Sequence, residues 1–259
     1  MSSLALVTGA GSGIGLAFAE RLAADGHDLI VVGRTREKLD RFAAAHPRVG
    51  VRVLTADLST PEGVDEVAAV CAEEPLDLLV NNAGVSHYMP LAELPAAKAR
   101  EIVNVKVLAP TLLTRAALGG MLERGAGRIV NISGMIAFSG PAGPEVVPRR
   151  AVYAGTLAHL VAMSQTLAAE LDGTGVGVHV VCPGIVATNF HAAQGIDASA
   201  IPRMSAEDFV TGTLRGIALG ETVIAPGVED RGLLDAVFTA DLAAFTGQSP
   251  TLATRYRTD

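Results

Sequence analysis

Short runs of branched apolar residues recur along this chain, each followed by a longer alanine-rich stretch of helical period. Residues 4–8 (LALVT), 28–32 (DLIVV), 51–55 (VRVLT), 76–80 (LDLLV), 128–132 (RIVNI), 176–182 (VGVHVVC) and 222–225 (TVIA) read as strands. Residues 14–24, 36–45, 61–73, 96–124, 151–171, 206–219 and 232–245 read as helices. The strand runs are apolar at nearly every position, as strands covered on both faces must be. Strands separated by helices need crossover connections, and those build a parallel sheet. The expectation is an α/β fold: a doubly wound parallel sheet with helices on both faces.

Length and composition agree with one large domain over 1–259. The chain has 259 residues, of which 49% are hydrophobic and 18% charged, enough for a sizeable core. Aromatics are only 4% and tryptophan is absent, so that core is built from Ala, Val, Leu and Ile. The net charge of -7 argues against nucleic acid as a partner, because phosphate binding wants a basic field. Cys71 and Cys182 lie far apart in apolar surroundings and read as reduced core residues. The histidines lack ligand spacing, so no metal site is expected. The start MSSLALVTGAG has neither a basic segment nor a long apolar run, and no stretch of about 18 apolar residues occurs. These features predict a cytoplasmic protein without a membrane span, with a polar, loosely held tail after Gly247.

The first chemical motif is TGAGSGIG, formed by Thr8, Gly9, Ala10, Gly11, Ser12, Gly13, Ile14 and Gly15. It follows the first strand and opens the first helix. Glycines there allow a tight turn and let a phosphate approach backbone N–H groups at a helix N-terminus. The second signal stands at the end of the second strand, where an acidic residue would bind the ribose of NAD and a basic one the extra phosphate of NADP. Gly33 and Arg34 stand there, which favours NADP(H) over NAD(H). Two long irregular segments, 134–150 and 184–205, leave strand C-termini, where open α/β sheets hold their ligands. Pro110 lies inside the helix 96–124 and deprives the Lys106 carbonyl of its partner, so a kink is expected near 104–110.

Further motifs follow the later strands: Asp57-Leu58, Asn81-Asn82-Ala83-Gly84, and Pro183-Gly184-Ile185-Val186-Ala187-Thr188. With the glycine motif, Asn104 and Tyr153, they make the chain resemble the short-chain dehydrogenase/reductase family, from the first strand to at least Thr188. The resemblance implies a Rossmann-like domain with a seven-stranded parallel sheet. It implies that Asp57 and Leu58 flank the adenine, and that Asn81, Ala83 and Gly84 support the ribose side. Within the segment from Pro183 and Gly184, Ile185 and Thr188 would hold the nicotinamide amide. It also implies a homodimer or homotetramer joined through helices 96–124 and 151–171.

The family uses an Asn, a Ser, a Tyr and a Lys four residues after the Tyr. Asn104 and Tyr153 match, whereas Gly134 stands at the Ser position and Leu157 at the Lys position. Without an ammonium nearby, Tyr153 should remain a neutral phenol, able to donate a proton but a poor base. Ser133, one residue early, is a candidate stand-in, as are His87 and His191 in loops that line the pocket, and Arg149 or Arg150 as a cation. Three readings remain open: an NADP(H)-dependent reductase of a carbonyl on a mid-sized apolar metabolite, a cyclase, isomerase or lyase using Tyr153 and a pocket histidine, and a non-catalytic binding protein.

Overall fold

A computed structural model describes residues 3–257 except 141, 144, 193, 194, 196, 198 and 199. Seven strands form a parallel sheet in the order β3-β2-β1-β4-β5-β6-β7. They are β1 (Leu4–Thr8), β2 (Asp28–Gly33), β3 (Val51–Thr55), β4 (Leu78–Asn81), β5 (Gly127–Ile132), β6 (Val176–Val181) and β7 (Val223–Ile224). The helices are α1 (Gly13–Ala24), α2 (Arg36–Ala45), α3 (Pro61–Glu73), α4 (Ala96–Val103), α5 (Ala109–Arg124), α6 (Ala151–Glu170), α7 (Ala206–Ala218) and α8 (Gly232–Thr246).

Successive side chains of a strand point to opposite faces, so each central strand feeds two cores. Val7, Val31 and Val80 enter one core, with Phe18 of α1 and Phe209 of α7, whose rings meet edge to face at 6.5 Å. Leu6, Ile30 and Leu79 enter the other, against Val67 of α3 and Leu113 and Met121 of α5. That is the doubly wound arrangement expected from runs without polar alternation. The strand order reverses between β1 and β4, so the C-terminal ends of those two strands open the ligand crevice.

The helix expected over 96–124 is interrupted where Pro110 required it. A π-helical turn, Asn104–Leu108, separates α4 from α5, and Pro110 stands in the first turn of α5, where a missing N–H costs little. The stretch Ala96–Arg124 has the length and hydropathy to cross a membrane, but α5 packs against α3 and contributes Ala109, Leu113, Ala117 and Met121 to the core.

Contacts divide the chain into two compact units, Met1–Pro226 and Gly227–Asp259. The first carries the whole sheet. The second comprises α8 and a 3-10 turn, Thr254–Tyr256, within the segment expected to be a loose tail.

Candidate functional site at the strand ends

The glycine turn is built by steric exclusion. Gly9 and Gly13 have φ of 69° and 56°, a left-handed backbone that side chains rarely adopt. A Cβ on Gly15 would collide with the Gly9 carbonyl and the Asn82 amide, so α1 lies tight against β1. Thr8 staples the next segment to this turn: its Oγ1 accepts from the N–H of Asn82 at 2.9 Å and of Ala83 at 3.0 Å. The Asn82 side chain donates back to the Thr8 carbonyl at 2.9 Å. Thr188 closes the turn from the β6 side, with its Cβ 3.2 Å from the place of a Gly13 Cβ. Its own Oγ1 accepts from the Phe190 N–H, and the Ile185 carbonyl accepts from Met204, which pins the Pro183-Gly184 segment.

Whether a dinucleotide fits can be tested on the caps. Thr60 and Ser205 cap α3 and α7 with their side chains, whereas Ser12 makes no such bond at the start of α1. The first-turn N–H groups at Ile14 and its neighbours have no side-chain cap, and an anion is a ligand they suit. The Asp57 carboxylate is turned onto the Ser59 N–H, and Leu58 is buried beside it. Arg34, exposed just past β2, has no ion-pair partner among the described residues, while Arg36 is held by Asp40. The residues present fit a phosphate-bearing dinucleotide.

Tyr153 lies in the first turn of α6 and is only 7% exposed. It packs with Val85, Ile102, Val105 and Leu157, ringed by the half-buried Ile136, Ala137, Val152 and Phe190. The Tyr88 ring meets it edge to face at 5.5 Å. Burial, and secondarily Tyr88, push its phenol well above the ordinary value. Burial thus favours the neutral phenol over the phenolate.

The expected partners of Tyr153 are placed differently. Asn104 is not at this centre: its amide donates to the Ser59 carbonyl at 2.7 Å, in the loop after β3. The residue of the π turn that enters the strand ends is Lys106, 4% exposed, whose Nζ donates to the Ile132 carbonyl at 3.1 Å. Sequence reading passed over Lys106. The signal was a cation between Val105 and Val107 in an otherwise apolar run, four residues before Pro110. Ser133 does not stand in for the missing serine, because its hydroxyl donates to the Leu157 carbonyl at 2.9 Å and ties β5 to α6.

His87 pairs with Glu101, Nε2 to Oε2, at 2.9 Å. His191 stacks edge to face on Phe190; burial, then Arg203, lowers its pKa. Arg150 is not a free cation. Its guanidinium is buried and donates to Ser139 and to the carbonyls of Val147, Pro148 and Ala142, clamping the segment after β5. Arg149 is exposed and lines an open depression of about 650 Å³ with Ala151, Ala154 and Ala158, on the opposite side of α6 from Tyr153.

Gly134 and Leu157, singled out from the sequence at the Ser and Lys positions, lie against each other. A Cβ on Gly134 would lie 3.2 Å from Leu157 Cδ1, and Leu157 is wholly buried. The φ of Gly134 is 172°, extended backbone open to any residue, so packing rather than conformation holds the glycine. Gly134→Ser should cost about 1–3 kcal/mol by overpacking. In a Leu157→Ala background the same change should cost less, giving a coupling of about 0.5 kcal/mol or more in a urea-unfolding double-mutant cycle. Strict additivity would show that the two sites are independent.

Comparison with known proteins agrees with this geometry. The family profile described as short chain dehydrogenase matches residues 3–198. The 1-deoxy-11-beta-hydroxypentalenate dehydrogenase of Streptomyces exfoliatus is 37% identical over 201 residues, 75% of this chain and 70% of that protein. An uncharacterised oxidoreductase of Staphylococcus aureus is 32% identical over 192 residues, 73% of this chain and 80% of that one. Among solved structures, a short-chain dehydrogenase from Sphingobium yanoikuyae in complex with NADPH superposes with a TM-score of 0.92 at 31% identity, covering 98% of this chain and 100% of that one. A bulky-bulky ketone specific alcohol dehydrogenase from Comamonas testosteroni gives 0.88 at 28% identity, covering 99% of each chain. With this match and the glycine turn, strand order and buried tyrosine described above, the chain belongs to the short-chain dehydrogenase family of oxidoreductases.

Proposed function

We propose that this protein is an NADP(H)-dependent reductase of a carbonyl flanked by apolar groups, with Tyr153 as the proton donor. The observation that carries the reading is a phenol kept neutral by burial, in a cluster that reaches Ala83 of the segment stapled to the glycine turn. A bound nicotinamide supplies or accepts a hydride. The glycine turn and the start of α1 hold phosphate through backbone N–H groups. Arg34, exposed just past β2, is the basic residue that would accommodate a 2′-phosphate, and this supports NADP(H) over NAD(H). Tyr88, Ile136, Ala137, Val152 and Phe190 give the substrate an apolar wall, and the Comamonas relative is named for its specificity toward bulky-bulky ketones. Tyr153 donates its proton to the carbonyl oxygen as the carbon is reduced, and exclusion of water by that wall strengthens the hydrogen bond.

The test is a fluorescence titration with NADPH and NADH, followed by single-turnover oxidation of NADPH against a panel of aryl and alkyl ketones. Saturable NADPH binding with hydride transfer to at least one ketone is expected. Arg34→Asp should weaken NADPH binding by about tenfold or more, the worth of a hydrogen bond to a charged group, and leave NADH binding nearly unchanged. Equal loss of both nucleotides would remove Arg34 from the 2′-phosphate site. A second reading, proton transfer without redox, draws on the imidazole–carboxylate pair of His87 and Glu101. Conversion of a substrate without stoichiometric NADPH consumption would favour it.

A further inference from the structure

Lys106 is a cation that the fold does not explain. It is buried at the ends of β4 and β5, and among the described residues it has no salt bridge. An ammonium has three N–H donors, and the structure shows one of them satisfied, by the Ile132 carbonyl at 3.1 Å. The lysine passes directly over Gly84: a Cβ there would come within 2.8 Å of both its Cε and its Nζ. It lines a small cavity with Thr8, Asn81 and Ala83 at the strand ends and with the apolar Leu58, Leu113 and Leu160. Asn81 gives a second, independent sign. Its amide donates to Asn131 at 2.9 Å and to Thr114 at 3.2 Å, while its Oδ1 is buried without a partner. Two unsatisfied N–H donors and one unsatisfied acceptor therefore belong to residues that line the same small cavity.

A structural role would not need this charge. Burying an ammonium without a carboxylate is costly, and methionine would fill the same volume without that cost. Consistent with burial, the Lys106 amine is lowered from its ordinary 10.5 to about 8, so it still carries a proton near neutrality. Residue 157, which carries the site's lysine in the family pattern, is here a wholly buried leucine packed on Gly134.

We infer that Lys106 is the cation of this active site, reaching the cradle from the π turn between α4 and α5 instead of from α6, and binding the hydroxyl groups of the cofactor's nicotinamide-side ribose. This rests on the dinucleotide reading above. The π turn is what makes it possible, since it carries Lys106 inward while Asn104 turns to the loop after β3.

The experiment compares wild type, Lys106→Met, Leu157→Lys and the Lys106→Met/Leu157→Lys double variant. Each is titrated with NADPH by fluorescence and melted without ligand. Lys106→Met should fold, melt no lower than wild type, and bind NADPH about tenfold or more weaker, as expected for losing a charged hydrogen-bond donor. The double variant should regain most of that affinity, because the ammonium is returned from α6. Undiminished NADPH binding by folded Lys106→Met would overturn the inference, as would loss of affinity that the double variant does not restore. Wild type that binds no NADPH would fail at the earlier step and remove the dinucleotide reading itself.

Discussion

Tyr153→Phe should reduce single-turnover reduction of a responsive ketone by about 10²–10⁴, the range supplied by a positioned general acid. The variant should keep its melting temperature within a few degrees, because the ring's contacts with Val85, Ile102, Val105, Leu157 and Tyr88 are retained. NADPH affinity should change little, since the glycine turn and α1 are untouched. The same burial that keeps the phenol neutral sets the direction of the chemistry. Carbonyl reduction, which takes a proton from Tyr153, should run well at neutral pH, whereas alcohol oxidation, which needs the phenolate, should be slow until strongly alkaline pH. Wild-type turnover in the Phe variant would move the protein to the non-catalytic binding reading. Oxidation as fast as reduction at pH 7 would mean that the phenol is ionised in the loaded site.

The second large effect is on stability against pH. Lys106 titrates near 8 in the folded chain and near 10.5 when unfolded. Between those values the unfolded state binds more protons, so stability rises with pH across that window, by up to about 3 kcal/mol. Cys71 and Cys182 act in the opposite sense. Burial raises each from 9.0 to about 12, so the folded state binds more protons and stability falls from about pH 9 upward. Tyr153, raised by burial, adds to that fall above pH 10. The lysine is unopposed up to about pH 9 and is outnumbered by two thiols above it, so these groups place the alkaline-side maximum near pH 9. On the acid side, burial lowers His179 below its ordinary 6.5, and stability is lost as pH falls through that region. Urea midpoints measured from pH 6 to 11 test this. Lys106→Met should be more stable than wild type at pH 7, by up to about 3 kcal/mol, and the gap should close by pH 10.5. A constant gap over the whole range would show that Lys106 is not buried as a charge in the folded protein.

A residue that weakens the free protein and strengthens the loaded one is what a site selected for binding looks like. Gly134 and Leu157 are one packing unit, and a lysine placed at 157 beside the existing Lys106 would bring a second uncompensated ammonium into the same strand-end region. The segment after β5 follows the same logic. Its arginine, a candidate cation from sequence, is consumed by the loop's own carbonyls.

Residue order alone settled the layered parallel sheet, the glycine turn before α1 and the single phenol at the head of α6. Each of these is written in a local period or spacing: runs of four to seven apolar residues, glycines where only glycine avoids a collision, and a tyrosine opening an apolar helix. Even the break in the helix 96–124 was legible, because proline lacks an N–H wherever it stands. What only the folded chain decided is which side chain the break turns inward. In an α-helix, residues two apart point about 200° away from each other, and a π turn shifts that relation again, so Asn104 and Lys106 cannot be assigned by spacing. The Asn104 amide found a carbonyl in the loop after β3, and Ser133 found the backbone of α6. Those partners lie tens of residues away along the chain, and no local pattern carries a hydrogen bond over that separation.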